Sequence, residues 1–262
     1  MDFQKEVEII TNKHSIKVNS VSKAEDGISN EVFIINDEFV LRFNKEKGFV
    51  QEAKLLQELH QKGMFVPKVI VYDSNYLLLE KVEGQTLNNI EELTENTYNK
   101  LGQTLRKLHS ITIEEDSNSF ERYIRKETKK VLVSNVSAEI KEFVSNIKFD
   151  FSRKHLIHCD PARSNIILTP NNSICLIDFE WSEYGDPLYD IAVFEIKHDS
   201  AFHKAFRRGY GNYSFDEKII LAYKILHEHN VLCWAQKRKK EKIISFQEKS
   251  LKRLETQIKV ME

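Results

Sequence analysis

Three oxygen-bearing side chains recur at set intervals in "HCDPARSNIILTPNNSICLIDFE", the stretch from His158 to Glu180. Asp160 stands five residues before Asn165, and Asp178 follows thirteen residues after it. Two β-like runs, 165–168 and 174–179, are joined by the turn-rich Thr169-Pro170-Asn171-Asn172-Ser173. A hairpin of this kind brings the amide of Asn165 and the carboxylate of Asp178 together on neighbouring strands. Mg2+ is a hard cation that takes oxygen ligands, one or two from protein and the rest from phosphates and water. A carboxylate on the loop ahead of the hairpin can then meet an incoming hydroxyl. The order is base, metal amide, metal carboxylate, the HxDxxxxN…D spacing that serves phosphoryl transfer. Capping a turn is the plain structural reading of Asp160 and Asn165. Asp178 resists that reading, because an ionised carboxylate beside "ICLI" is costly unless paired or metal-bound. His158 reads as a structural brace for the loop, and Cys159 as a small, inert neighbour.

Elements on both sides must position these groups. The first part reads as strands: "SIKVNSVSKAEDGISNEVFIINDEFVLRFN" has β-rich runs broken at Asp26-Gly27 and Asn36-Asp37. Phe49, Ala53, Leu56 and Leu59 recur at helical spacing, which predicts a helix over about 48–62 closed by Gly63. "PKVIVYD" and "NYLLLEKV" read as another strand pair. Residues 1–82 are therefore expected to form a small antiparallel sheet with one helix, and 83–262 a larger, mostly helical part. In that second part, helices are expected up to about His109, over 120–133 and over 138–147. Asp186-Pro187 marks a further helix start, Asp as cap and Pro in the first turn. Ser214-Phe215-Asp216-Glu217 reads as a capping box, and the last 25 or so residues as a charged helix with Ile243, Phe246, Leu251, Leu254 and Ile258 inward. Asp190 falls inside a predicted helix and reads as a stabilising group. Ligands favour the cleft between two such parts.

Composition excludes several alternatives. The 262 residues carry 41% hydrophobic and 30% charged side chains, the balance of a folded globular chain. A formal net charge of -1 gives no overall pull toward nucleic acid or anionic lipid. The basic run Lys237–Lys242 has no interleaved aromatics and reads as a solvated helix face. The amino terminus, "MDFQKEVEIITNKHS", lacks the apolar core of a signal peptide, and no window approaches the roughly 18 apolar residues of a membrane span. Three widely spaced cysteines without a CxxC pair fit a reduced, cytoplasmic compartment. No nucleic acid, membrane or obligate protein partner is expected.

His158-Cys-Asp160, Asn165, Ile177-Asp178-Phe-Glu and Gly185-Asp-Pro-Leu-Tyr-Asp190 together resemble the aminoglycoside phosphotransferase and choline kinase superfamily. "GISNEVF", "FVLRF", "QEAKLLQELH", "YLLLEKVEGQTL" and "LGQTLRKLH" are similar, in order, to that family's amino-lobe and hinge elements. The resemblance implies an α+β, bilobal protein-kinase-like fold: a small antiparallel sheet lobe with one helix, then a larger helical lobe carrying catalysis and the acceptor. It implies Mg2+ with ATP, or GTP in its place, and a small-molecule hydroxyl acceptor. Asp160 would orient or deprotonate that hydroxyl, and Asn165 and Asp178 would hold the metal. Arg42 stands where the family contacts phosphate, with Glu52 as its ion-pair partner. Gly27, Ser29 and Asn30 would close over the phosphates, and backbone near Glu80 and Val82 would take the nucleobase edge. Three departures stand out: one glycine in "EDGISNE" with Glu25 and Asp26 beside it, Arg for Lys at 42, and Cys159-Asp160-Pro161 for the usual Gly-Asp-Leu.

The acceptor stays open between a choline-like alcohol and an aminoglycoside. Trp181, Tyr184, Tyr210, Tyr213 and Trp234 could face a quaternary ammonium. Glu180, Glu183, Glu195, Asp199 and Glu114-Glu115-Asp116 could pair with several amines. A catalytically silent nucleotide-binding scaffold is the alternative to an enzyme. A protein kinase is disfavoured, because only eight residues separate Asp178 from Asp186 and no Ala-Pro-Glu element is evident.

Overall fold

The structure is a computed structural model that describes residues 3–24, 31–43, 48–113 and 118–261. In chain order its helices and strands are α1 (Phe3–Lys13), β1 (Val21–Lys23), β2 (Glu31–Ile35), β3 (Phe39–Phe43), α2 (Val50–Gln61), β4 (Val69–Tyr72), β5 (Tyr76–Glu80) and β6 (Gln85–Thr86). There follow α3 (Glu95–Leu108), α4 (Ser119–Val133), α5 (Ala138–Asn146), β7 (His155–Ile157), β8 (Ile166–Leu168), β9 (Ile174–Leu176) and β10 (Glu183–Gly185). The chain ends in α6 (Pro187–Lys197), α7 (His203–Tyr210), α8 (Glu217–Lys237) and α9 (Glu241–Met261). Contacts divide it into two compact units, one of Met1–Ile90 with Asn165–Glu180, the other of Glu91–Ser164 with Trp181–Glu262.

The first unit is built on a five-stranded antiparallel sheet, order β1-β2-β3-β5-β4. Ile35 pairs with Phe39 across Asn36 and Asp37, both at positive φ, a conformation Asn and Asp tolerate better than bulkier residues. Strand alternation then sorts the side chains. Phe33, Ile35, Leu41, Phe43, Tyr76 and Leu78 bury one face against Val7 and Ile10 of α1. Arg42, between Leu41 and Phe43, is turned to the other face, where α2 supplies Glu52. Helix α1 was not expected from the strand-like pattern of this region. A second small sheet, β6-β8-β9, contains the motif hairpin, with Ile166 opposite Leu176 and Leu168 opposite Ile174. Gly84 enters it at φ 136, and a Cβ there would collide with the carbonyl of Leu168, so only glycine fits.

The second unit is helical around the short antiparallel pair β7–β10. Thr94, Ser137 and Asp186 cap α3, α5 and α6 by accepting from Thr97, Ile140 and Leu188 backbone N–H groups. Asp216, rather than Ser214, caps α8, accepting from Lys218 and Ile219 N–H. Along α9 the buried row is Gln247, Leu251, Leu254 and Ile258, and Phe246 is 57% exposed instead of inward. Among the described residues no helix is long and apolar enough to cross a membrane.

Candidate functional site

The hairpin sets two of the three motif groups side by side. Ile177 N–H donates to Asn165 O at 3.0 Å, one step beyond the Ile166–Leu176 pair. Asn165 therefore sits across the ladder from Ile177, with Asp178 next along the strand. Asn165 is buried, while the Asp178 side chain is 38% exposed. Asp178 also takes a left-handed backbone, φ 64, which costs most residues with a Cβ about 1–2 kcal/mol and an aspartate less. Such strain persists only where surrounding contacts hold it.

The holding contacts come from Arg42 and Glu52. Arg42 donates Nη1 to Glu52 Oε1 at 2.5 Å and Nη2 to Asp178 Oδ1 at 2.7 Å. Glu52 Oε1 also accepts from Phe179 N–H at 3.2 Å. The strand position left open a solvated Arg42, but the residue is only 6% exposed, its guanidinium over the Phe49 ring. Burial raises the Glu52 carboxyl above its ordinary range against the pull of Arg42, and Asp178 and Glu180 push it in the same direction. Glu52 Oε2 is buried with no hydrogen-bond partner among the described residues. Two carboxylates, Glu52 and Asp178, thus share the Arg42 cation, with Glu180 close enough to act on Glu52. That excess of negative oxygen has the chemistry a hard divalent ion such as Mg2+ takes. No group of three or more His, Cys, Asp or Glu forms a cage among the described residues, as suits an ion that takes most of its ligands from phosphate and water.

Asp160 belongs to the other unit, on a loop with its own brace. Asp190 Oδ2 accepts from His158 N–H at 2.7 Å and from His109 Nε2–H at 2.9 Å, and Oδ1 accepts from Cys159 N–H at 2.7 Å. Cys159 is the second left-handed residue of the motif, φ 68. Behind it, His109 Nδ1 lies 2.7 Å from Tyr210 Oη. One residue past Asp160, Pro161 O accepts from His198 Nε2–H at 2.9 Å. Burial lowers His198 to about 4. The ring is therefore neutral near pH 7, and Nδ1 is left to accept from Tyr98 O–H at 3.3 Å. Burial also drives the Cys159 thiol well up, consistent with an inert neighbour.

The remaining expected site residues divide. Glu80 N–H donates to Lys68 O and Lys81 N–H to Glu38 O, whereas Val82 makes no backbone hydrogen bond to a described residue. Gly27, Ser29 and Asn30 lie outside the described residues, as do Glu114-Glu115-Asp116. Tyr210 is buried against His109, and Glu195 is bound by Arg207 and Lys224, so neither can meet an acceptor. Asp199 instead lines a cleft of about 410 Å3 in the helical unit with Glu91, Glu92, Tyr98, Arg163 and Phe202. Sequence reasoning assigned no role to His109 or His198. A histidine closing an apolar helix, as His109 does after "LRKL", was the signal available for the first.

Residues 20–222 match the model of the phosphotransferase enzyme family. Among curated proteins no sequence match is found. Among solved structures, the chain is similar to the GDP and kanamycin complex of APH(2")-IIia, at 17% identity and TM-score 0.78, covering 98% of this chain and 99% of that one. It is similar to choline kinase LicA from Streptococcus pneumoniae at 18% identity and TM-score 0.70, covering 97% and 99%. Spectinomycin phosphotransferase, in complex with ADP and spectinomycin, is similar at 14% identity and TM-score 0.65, covering 87% and 86%. These likenesses show a kinase-like α+β fold.

Proposed function

The chain belongs to the phosphotransferase enzyme family, and from that premise we propose that it moves the γ-phosphate of ATP to a hydroxyl of a small cationic molecule. Asn165 and Asp178 would hold Mg2+, which when bound supplies positive charge to the phosphates undergoing transfer. Asp160 accepts the acceptor's hydroxyl proton or holds that hydroxyl in line. The backbone at Val82, which makes no hydrogen bond to a described residue, would offer its donor and acceptor to the nucleobase. GTP is the alternative donor, since the solved relatives include GDP as well as ADP complexes. The observation that supports this reading is the backbone bond from Ile177 N–H to Asn165 O, which brings the chain at Asn165 alongside the residue before Asp178.

A cationic acceptor is supported by the helical unit's cleft, where three carboxylates outnumber one arginine. Its second amine or quaternary nitrogen decides between aminoglycoside-like and choline-like substrates. A coupled ADP-release screen over choline, ethanolamine, thiamine and a panel of aminoglycosides tests this. With the best acceptor, Asp160→Ala should cut turnover by roughly 100-fold or more and leave nucleotide binding nearly intact. Undiminished turnover in that variant removes Asp160 from the mechanism.

A further inference from the structure

The backbone around Asp160 is held on both sides. Upstream, Asp160 N–H donates to His158 Nδ1 at 3.4 Å, and Asp190 of α6 takes the N–H groups of His158 and Cys159. Downstream, Ala162 N–H donates to Asp160 O at 2.8 Å, which closes a three-residue γ-turn with Pro161 at its apex. Proline has no N–H, so the Pro161 carbonyl is the backbone group through which a partner can hold that apex. Pro161 is buried, and its carbonyl accepts from His198 Nε2–H at 2.9 Å.

His198 is itself fixed in place. It directly follows α6, its N–H bonded to Phe194 O and its C=O accepting from His203 Nε2–H at 3.2 Å. The buried ring stacks on Phe194 at 4.5 Å and meets Tyr98 edge-on at 5.5 Å. Tyr98 in turn stacks on Phe202 at 4.3 Å and donates its O–H to His198 Nδ1 at 3.3 Å. With Nδ1 accepting, the single proton of the neutral ring is on Nε2, facing Pro161.

We propose that His198 is a positioning residue for Asp160: it holds the turn that starts at Asp160 by the Pro161 carbonyl, and Tyr98 fixes the tautomer that does so. The inference rests on the reading of Asp160 given above. His198→Phe keeps a ring between Phe194 and Tyr98 but has no donor, whereas His198→Gln loses the ring and keeps an N–H near the place of Nε2.

Hydrogen exchange of the Ala162 amide, followed by NMR, reads the turn without any ligand, with circular dichroism confirming the fold of each variant. His198→Phe should speed that exchange about 10-fold and leave the Leu156 and Ile157 amides of β7 unchanged. Coupled ADP release gives the kinetics, with the best acceptor of the screen above or with water where none is used. His198→Phe should lower kcat about 10-fold, with KM and ADP affinity within about twofold. His198→Gln should stay within about threefold of wild type in both measurements. Tyr98→Phe removes one hydroxyl and carries the test if His198→Phe does not fold; it should shift exchange and kcat the same way by about threefold. Unchanged exchange at Ala162, a raised KM at unchanged kcat, or a kcat loss as large in His198→Gln as in His198→Phe overturns the proposal. If Asp160→Ala keeps full turnover, the reading of Asp160 has failed and the positioning role falls with it. If Asp160→Ala is inactive while His198→Phe turns over normally, the positioning role alone fails.

Discussion

Asp190→Asn tests whether the loop bearing Asp160 is held from below. The wild-type carboxylate is fully buried and accepts three bonds, from His158 N–H, Cys159 N–H and His109 Nε2–H. Asparagine is nearly the same size but keeps a single acceptor oxygen. If that oxygen takes the place of Oδ2, the amide nitrogen faces Cys159 N–H, donor against donor. One buried donor is then unsatisfied, at about 1–3 kcal/mol, and the other two bonds lose their charge assistance, roughly 1 kcal/mol each. The expected loss is about 3–5 kcal/mol, which for a chain of this size lowers Tm by roughly 10 °C. Turnover should fall as well, by about 100-fold, because Asp160 directly follows the released left-handed residue and misplacement by about 1 Å costs that much. Thermal melts followed by circular dichroism give the first quantity, and coupled ADP release the second. A Tm within about 2 °C of wild type, or unchanged kcat, refutes the reasoning.

Two further outcomes follow from buried groups. Glu228 on α8 is fully buried, neither carboxylate oxygen makes a hydrogen bond of good geometry to a described residue, and burial raises its pKa above the usual carboxylate value of 4.5 against the opposing pull of Ser250, Lys197 and Arg253. The fold therefore favours the neutral acid: the contribution of Glu228 to stability is fully present below about pH 4.5 and is lost as pH climbs through the raised value. Glu228→Gln should melt above wild type by a margin that widens from pH 5 to 8; parallel curves would show that Glu228 is not linked to folding. Gly102 of α3 and Gly209 of α7 let these helices meet backbone to backbone, and a Cβ at Gly209 would overlap the carbonyl of Asn99. Gly209→Ala should cost about 3 kcal/mol by urea denaturation, and a loss under about 0.5 kcal/mol would mean that the helices separate freely.

What was legible in the chain was local. The hairpin was readable because a turn cluster sits between two apolar runs, and α2 to α6 because apolar residues recur at helical spacing or a cap precedes them. Helix α1 was missed because, within "FQKEVEIITNK", Val7 and Ile10 are the apolar residues seen to join the sheet's core, and tertiary packing more than its own pattern makes it a helix. On α9 the expected Leu251, Leu254 and Ile258 are buried and Phe246 is not. Gln247 occupies the buried row that an apolar count assigns to Phe246, and a polar residue there has no signature in a hydrophobic pattern. At the start of α8 two good capping residues compete. Asp216 is immediately before the first turn, where its carboxylate reaches two N–H groups.

The site shows the same limit more sharply. Residue types and spacing singled out Asp160, Asn165 and Asp178 as candidates, yet the direction in which such groups point depends on backbone conformation that residue types do not announce. Cys159 and Asp178 are both left-handed without being glycine. Each is held by an ionic brace far away in sequence: Asp190 lies 31 residues from Cys159, and Arg42 lies 136 from Asp178. Because the strain and its support are encoded in separate places, a chain could retain all three motif residues and still fail to aim them. Loss of Arg42 or Asp190 would leave the signature complete and the geometry slack. The braces are therefore the better criterion for sorting working members of this family from silent ones, since they cost burial of charge and have no use in a fold that need not hold two strained residues in place.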